Sequence, residues 1–152
     1  MKTTRGRLRS YQALLRMAQV RESVAGAELA EAVTEERARR ERQQSVQQQR
    51  DDVQGAVRQC VAGGAHVDMS RYELLSRLDA ALTNHLVEVS GQLADAERET
   101  QDKALANWQA KRYRERAGEQ WDVARQALHR EHQAKGQAEA IELWIDRQEE
   151  GA

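Results

Sequence analysis

The side chains able to do chemistry in this sequence are few, and their spacing gives them little to do. His129 and His132 share a helix face at a separation that suits two metal ligands, but a zinc site needs a third convergent ligand and the pattern offers none. Cys60 is the only cysteine. It cannot form an intrachain disulfide or a cysteine-based metal site, and it points to a reducing compartment. There is no glycine-rich phosphate loop, no GxSxG elbow and no strand on which to mount either. Arg37, Arg39, Arg40 and Arg42 form a basic run, yet Glu35, Glu36 and Glu41 interleave with it, which describes a solvated face. The expectation is a protein that is not an enzyme, with no catalytic, cofactor-binding or metal-binding residues and no cofactor.

The elements around these residues follow from composition. The 152-residue chain has no Phe or Pro, 4% aromatic residues, 39% hydrophobic ones and 32% charged ones. That is little apolar mass for a globular core, while the remainder is rich in helix formers with no proline to interrupt them. Such a chain buries one narrow seam between long helices. The net charge of −1 removes the usual argument for nucleic-acid binding. No apolar run approaches the ~18 residues of a membrane span, and the N-terminal ten residues lack the apolar core of a signal peptide. A cytoplasmic protein without direct membrane insertion is expected.

Alternating steps of three and four residues from Leu8 pass through Tyr11, Leu15, Ala18, Glu22, Ala25, Leu29, Ala32, Glu36, Arg39, Gln43, Val46, Arg50, Val53, Val57 and Cys60. Eleven of these sixteen positions are apolar in one unbroken phase, the signature of a coiled-coil seam. The five exceptions lie at Glu22 and between Glu36 and Arg50, predicting a weaker and more mobile middle. A second seam runs from Tyr72 through Leu75, Asp79, Leu82, Leu86, Val89, Leu93 and Ala96. It crosses a polar interruption at Thr100, Lys103 and Asn107, then resumes through Ala110, Arg114, Ala117, Trp121, Ala124 and Leu128. Beyond about residue 130 the seam dissolves although the helix continues.

The only Gly-Gly pair, Gly63-Gly64, divides the seams. Gly63 is placed to end the first helix in a left-handed conformation, and Ser70 with Glu73 reads as a capping box opening the second. The predicted fold is all-α: a long antiparallel two-helix coiled-coil hairpin in a single elongated unit. Its first helix covers about 5–61, its tip 62–69 and its longer second helix about 70–149. At 1.5 Å per residue these helices would be about 80 and 115 Å long. A turn centred on Gly64 and Ala65 would bring Leu8 near Val123 and the polar middle of the first helix near Ser90. Gly26, Gly55, Gly91, Gly118 and Gly136 fall inside the helices and cost about 1 kcal/mol each relative to Ala.

Surface features remain to be explained. Six basic residues and no acid lie between positions 2 and 21, whereas residues 139–150 hold five acids and Arg147 alone. Both blocks oppose the helix dipole at their own ends. The basic block either pairs across the hairpin with Glu115, Glu119, Asp122 and Glu131 or awaits a partner. Trp144, with Ile141, Leu143 and Ile145, lies where the second helix outruns the first, an apolar cluster that suggests a partner surface. Trp121 falls on the seam. Leu74, Leu78, Ala81 and His85 form a second stripe, which either widens the core near the tip or receives an external helix.

This layout resembles the FliJ/YscO family of type III secretion central-stalk proteins: two helices folded at a central tip, the second longer, with Arg- and Gln-rich surfaces and adjoining termini. The resemblance spans nearly the whole chain. Its most specific part is the stripe Leu74, Leu78, Ala81 and His85, which in flagellar members faces the export-gate protein; here Leu stands where an aromatic is usual. The opposing stretch at Arg42, Val46, Gln49 and Val53 is more polar than in those members. The resemblance implies a non-enzymatic rod whose ends enter the pore of a hexameric export ATPase through Arg5, Arg7, Arg9, Arg16, Trp144 and Ile145. It also implies a link to the export gate, with escort of secretion chaperones as a further role. The alternatives are a generic antiparallel coiled-coil adaptor or escort chaperone that binds a partner helix laterally, and a bundle formed between chains.

Overall fold

A computed structural model describes residues 3–63 and 66–151. Two helices account for nearly all of them: α1, Thr4–Ala62, and the longer α2, Met69–Glu150, packed against each other as an antiparallel pair. Compactness divides the chain into two units, one of Met1–Ala25 with Asn107–Ala152 and the other Gly26–Ala106.

In the unit Gly26–Ala106, Ala32, Val46, Val89 and Leu93 are buried. The seam positions in the middle of α1 are buried or half-buried like those at its ends, and Arg39 and Gln43 find hydrogen-bond partners on α2. Gln43 donates to the Ser90 hydroxyl at 3.3 Å, which is the pairing expected from the position of the turn. Arg39 reaches Gln92 Oε1 at 2.7 Å and the Thr100 hydroxyl donates to the Ala32 carbonyl at 3.2 Å. Arg50 and Asp79 approach across the seam at 4.0 Å, and Lys103 pairs with Glu28 at 3.2 Å. Glu28 raises the Lys103 pKa, first through this hydrogen bond and then through its charge, with Glu99 and Glu31 adding to the effect against desolvation. The pairing of α1 with α2 within the chain leaves no need for a second chain to complete the seam.

In the unit containing both ends, Ala18, Ala117 and Ala124 are buried, while Tyr11, Leu15, Trp121 and Leu128 are half-buried. The buried residues of this seam are all alanines, and longer side chains lie over its edges. Arg21 sits over the Tyr113 ring at 5.5 Å and Arg125 over Trp121 at 4.9 Å, each a cation–π contact. Arg114 pairs with Glu22 across the seam.

The helix ends differ from the sequence reading at two residues. Asp68 rather than Ser70 caps α2: its Oδ1 accepts from the Arg71 amide at 3.2 Å, and its carbonyl accepts from the Tyr72 amide at 2.9 Å. Ser70 already lies inside the helix, so the Ser70–Glu73 capping box does not form. A carboxylate two residues earlier is an equally good acceptor and adds a favourable charge at the positive end of the dipole. Gly63 does not take a left-handed φ. Its amide still donates to the Gln59 carbonyl at 3.1 Å, the ordinary helical bond, so helical geometry persists to this residue. Gly64 and Ala65, the expected centre of the reversal, lie outside the described residues. At the other end Thr3 caps α1, its Oγ1 accepting from the Gly6 amide at 3.2 Å. No close packing accounts for Gly55, Gly91 or Gly136, since a Cβ at each would meet nothing within 4 Å.

Two predictions follow from the cap and the seam. Asp68→Ala lowers stability by about 1 kcal/mol whereas Ser70→Ala changes it by only a few tenths, measured by urea unfolding followed at 222 nm. Glu22→Leu leaves Arg114 unpaired and destabilises by about 1–2 kcal/mol, while adding Arg114→Leu recovers most of the loss, because the cost lies in the orphaned charge.

Candidate functional site

The residues that the sequence singles out for binding form three separate surfaces. On α1, Arg5, Arg7, Arg9 and Arg16 are all exposed. Helical spacing places Arg5, Arg9 and Arg16 on one flank of the seam and Arg7 on the other. The structure therefore does not gather the four into one patch. None of them joins an ion pair among the described residues; of the four carboxylates expected opposite, three are engaged within α2, while Glu119 lines a groove with Arg7 and has no ion pair among the described residues. Glu115 lies 3.9 Å from Arg112, Asp122 3.5 Å from Arg125 and Glu131 3.2 Å from Lys135. Spacings of three and four residues satisfy these acids locally before α1 can compete for them.

α1 begins level with Glu131. The Thr4 side chain hydrogen-bonds Glu131 and, with Lys135, holds its carboxyl below the usual carboxylate range. From residue 132 onward every described residue of α2 is exposed. Trp144 is 61% exposed and Ile145 43%, with Ile141 and Leu143 similarly open. Trp144 follows Glu131 by 13 residues, about 20 Å of helix, so it stands well apart from the arginines of α1. Ile141, Trp144 and Ile145 share a face; Leu143 projects from the other side.

In the unit Gly26–Ala106, the stripe Leu74, Leu78, Ala81 and His85 is a surface feature. Leu74 is 67% exposed and Leu78 44%, which rules out a role in widening the core. Ala81 is exposed, while His85 is half-buried with its Nδ1 3.7 Å from Glu88. Of the α1 residues expected opposite, Val46 is buried and Val53 half-buried in the seam, whereas Arg42 and Gln49 point to solvent.

A further concave feature escaped the sequence reading. Thr4, Arg7 and Tyr11 of α1 with Glu119, Gln120, Val123, Ala124 and Ala127 of α2 line a groove of about 490 Å³. Val123 is 66% exposed within it. The heptad count of α2 contains the signal, a second apolar series displaced from the seam, but depth arises only where α1 supplies the opposite wall. Among the described residues no group of three His, Cys, Asp or Glu side chains converges as a metal site, and His129 and His132 remain a pair. No helix is long and apolar enough to cross a membrane.

These features define an antiparallel two-helix hairpin of the coiled-coil class with exposed apolar side chains on both units. No protein-family model, curated protein or solved structure matches the chain.

The depressed Glu131 carboxyl sets a pH dependence. A carboxylate held below its ordinary pKa contributes stability above that value and loses it as pH falls through the depressed one. Amide exchange in the first turn of α1 is therefore expected to accelerate at about pH 3 relative to neutral pH, beyond the intrinsic change. Glu131→Gln abolishes that excess, as hydrogen-exchange mass spectrometry of the N-terminal peptide would show.

Proposed function

We propose that this protein is a non-enzymatic central-stalk component of a type III secretion apparatus, of the FliJ/YscO kind. Its N-terminal arginines and the free end of α2 engage the pore of the hexameric export ATPase. The observation that carries this reading is the state of the unit holding both ends: Arg5, Arg7, Arg9 and Arg16 are exposed and without ion pairs among the described residues, and Trp144 and Ile145 are uncovered on the same unit. A pore lined by acidic and apolar side chains would neutralise the first group and bury the second, offsetting charges that oppose the helix dipole. The separation of about 20 Å between them suits an elongated channel better than a flat partner.

The stripe Leu74, Leu78, Ala81 and His85, in the other unit, is the proposed contact for the export-gate protein. Its open leucines support a helix-in-groove mode of recognition. Escort of secretion chaperones and residence in the cytoplasm belong to the same proposal. The second reading, a coiled-coil adaptor binding a partner helix laterally, is favoured by one observation, the exposure of these leucines without any comparable charge cluster.

ATPase assays with the purified chain separate the two. Arg7→Glu with Arg9→Glu, or Ile145→Asp, is expected to reduce stimulation of the hexameric ATPase by about tenfold, the effect of losing ~1.4 kcal/mol of binding below saturation. Leu78→Ala and His85→Ala leave stimulation unchanged and weaken gate binding. Loss of stimulation from the stripe changes alone would replace the stalk reading with the lateral adaptor.

A further inference from the structure

Along one face of α2, steps of four and three residues pass through Val123, Ala127, Arg130, Ala134, Gln137, Ile141 and Trp144. All seven are exposed, and the face lies to one side of the seam. Its apolar ends are the most open part, with Val123 at 66%, Ile141 at 59% and Trp144 at 61%. The series can be read from either end about Ala134. In an antiparallel pairing of two such helices, Val123 would meet Trp144 of a second copy, Ala127 would meet Ile141, Arg130 would meet Gln137, and Ala134 would meet itself. Each apolar rung sets a smaller side chain against a larger one, as closely packed helices require. A face that pairs with itself in this way meets the condition for an isologous two-fold contact.

We propose that α2 is a homodimerisation element, and that the occupant of this face is the same face of a second copy of this chain. Charge supports that choice. The pairing lays residues 139–150, with five acids against Arg147, beside the start of α1. There Arg7, on the same flank as this face, is exposed and without an ion pair among the described residues, and it lines the groove that also holds Val123 and Glu119. Asp122 on the same stretch is already paired with Arg125, which limits its repulsion, while Glu119 on the groove wall opposes the acidic segment. Trp144 of the second copy enters the groove between Tyr11 and Val123, with an acidic neighbour directed to Arg7. The contact occurs twice by symmetry, setting Arg7 of each copy beside the acidic segment of the other, while Arg5, Arg9 and Arg16 stay on the far flank.

The dimer does not depend on the ATPase reading and is measured without any ATPase, so either can fail alone; the two states compete for Trp144. Sedimentation equilibrium of the full chain across micromolar concentrations is expected to show a monomer–dimer equilibrium that weakens with added salt. Val123→Asp and Ile141→Asp, each with helicity verified by circular dichroism, are expected to shift it to monomer. In a Cys60→Ser background, Ala134→Cys lies at the two-fold axis and His132→Cys points away from it. Mild oxidation is expected to link Ala134→Cys chains at least about tenfold faster, since pairing raises the effective thiol concentration towards millimolar. A monomer at every concentration, or equal oxidation rates for the two cysteines, would overturn the proposal and leave the face to a different protein. A dimer unaffected by Val123→Asp and Ile141→Asp would overturn it equally by placing the contact elsewhere.

Discussion

Everything in this fold depends on whether polar side chains within a narrow seam can be satisfied without opening it. A two-helix pair has only one line of contact, and here few residues along it are fully buried. Most polar interruptions answer to one another, Glu22 to Arg114, Gln43 to Ser90 and Thr100 to the Ala32 carbonyl, while Arg50 and Asp79 approach only to 4.0 Å and each keeps a buried atom without a hydrogen bond. Apolar residues in a heptad seam tolerate a slide by one repeat, because Leu, Val and Ala pack acceptably against one another in several registers. A slide would orphan these charges and amides in partly buried positions, so they contribute more to register than to net stability.

The same economy governs the surface. Glu115, Asp122 and Glu131 of α2 are taken by basic residues three or four positions away, at no entropic cost of bringing distant chain together. With these three acids engaged, the arginines at the start of α1 have no ion pairs among the described residues. Glu131 is the exception that ties α1 to α2 there, and its depressed carboxyl records the contact. Positive charge at one helix start and uncovered apolar residues on a free helix end are thus consequences of how the pairing is distributed. They are also the features through which a partner can bind with little rearrangement, because the helix presenting them is already formed.

Exposed leucines near the tip and exposed Trp, Ile and Val near the ends belong to different units. A protein that carries two such surfaces is suited to touch two partners, or one partner and itself, at separate places. The second apolar series on α2 shows how one helix can serve twice. One line of residues closes the hairpin and another, offset around the axis, remains available.

Much of this was determined by the sequence alone. Heptad spacing identified both seams: each of the sixteen positions counted from Leu8 and the seventeen from Tyr72 is buried or half-buried, including the polar ones. Periodicity succeeds there because a helix fixes the direction of every side chain relative to its neighbours, so a line of residues in sequence is a line in space. The uncovered cluster at Trp144 was legible for the same reason. What the tertiary structure decided were choices between equivalent local partners. Asp68 and Ser70 are both competent caps, and only the path of the chain into α2 selects the first. Glu115, Asp122 and Glu131 had cationic neighbours on their own helix and across the seam, and proximity along α2 won. The groove at Tyr11 and Val123 belongs to neither helix by itself: its two walls come from residues more than a hundred positions apart, brought together only by the antiparallel packing of α1 on α2.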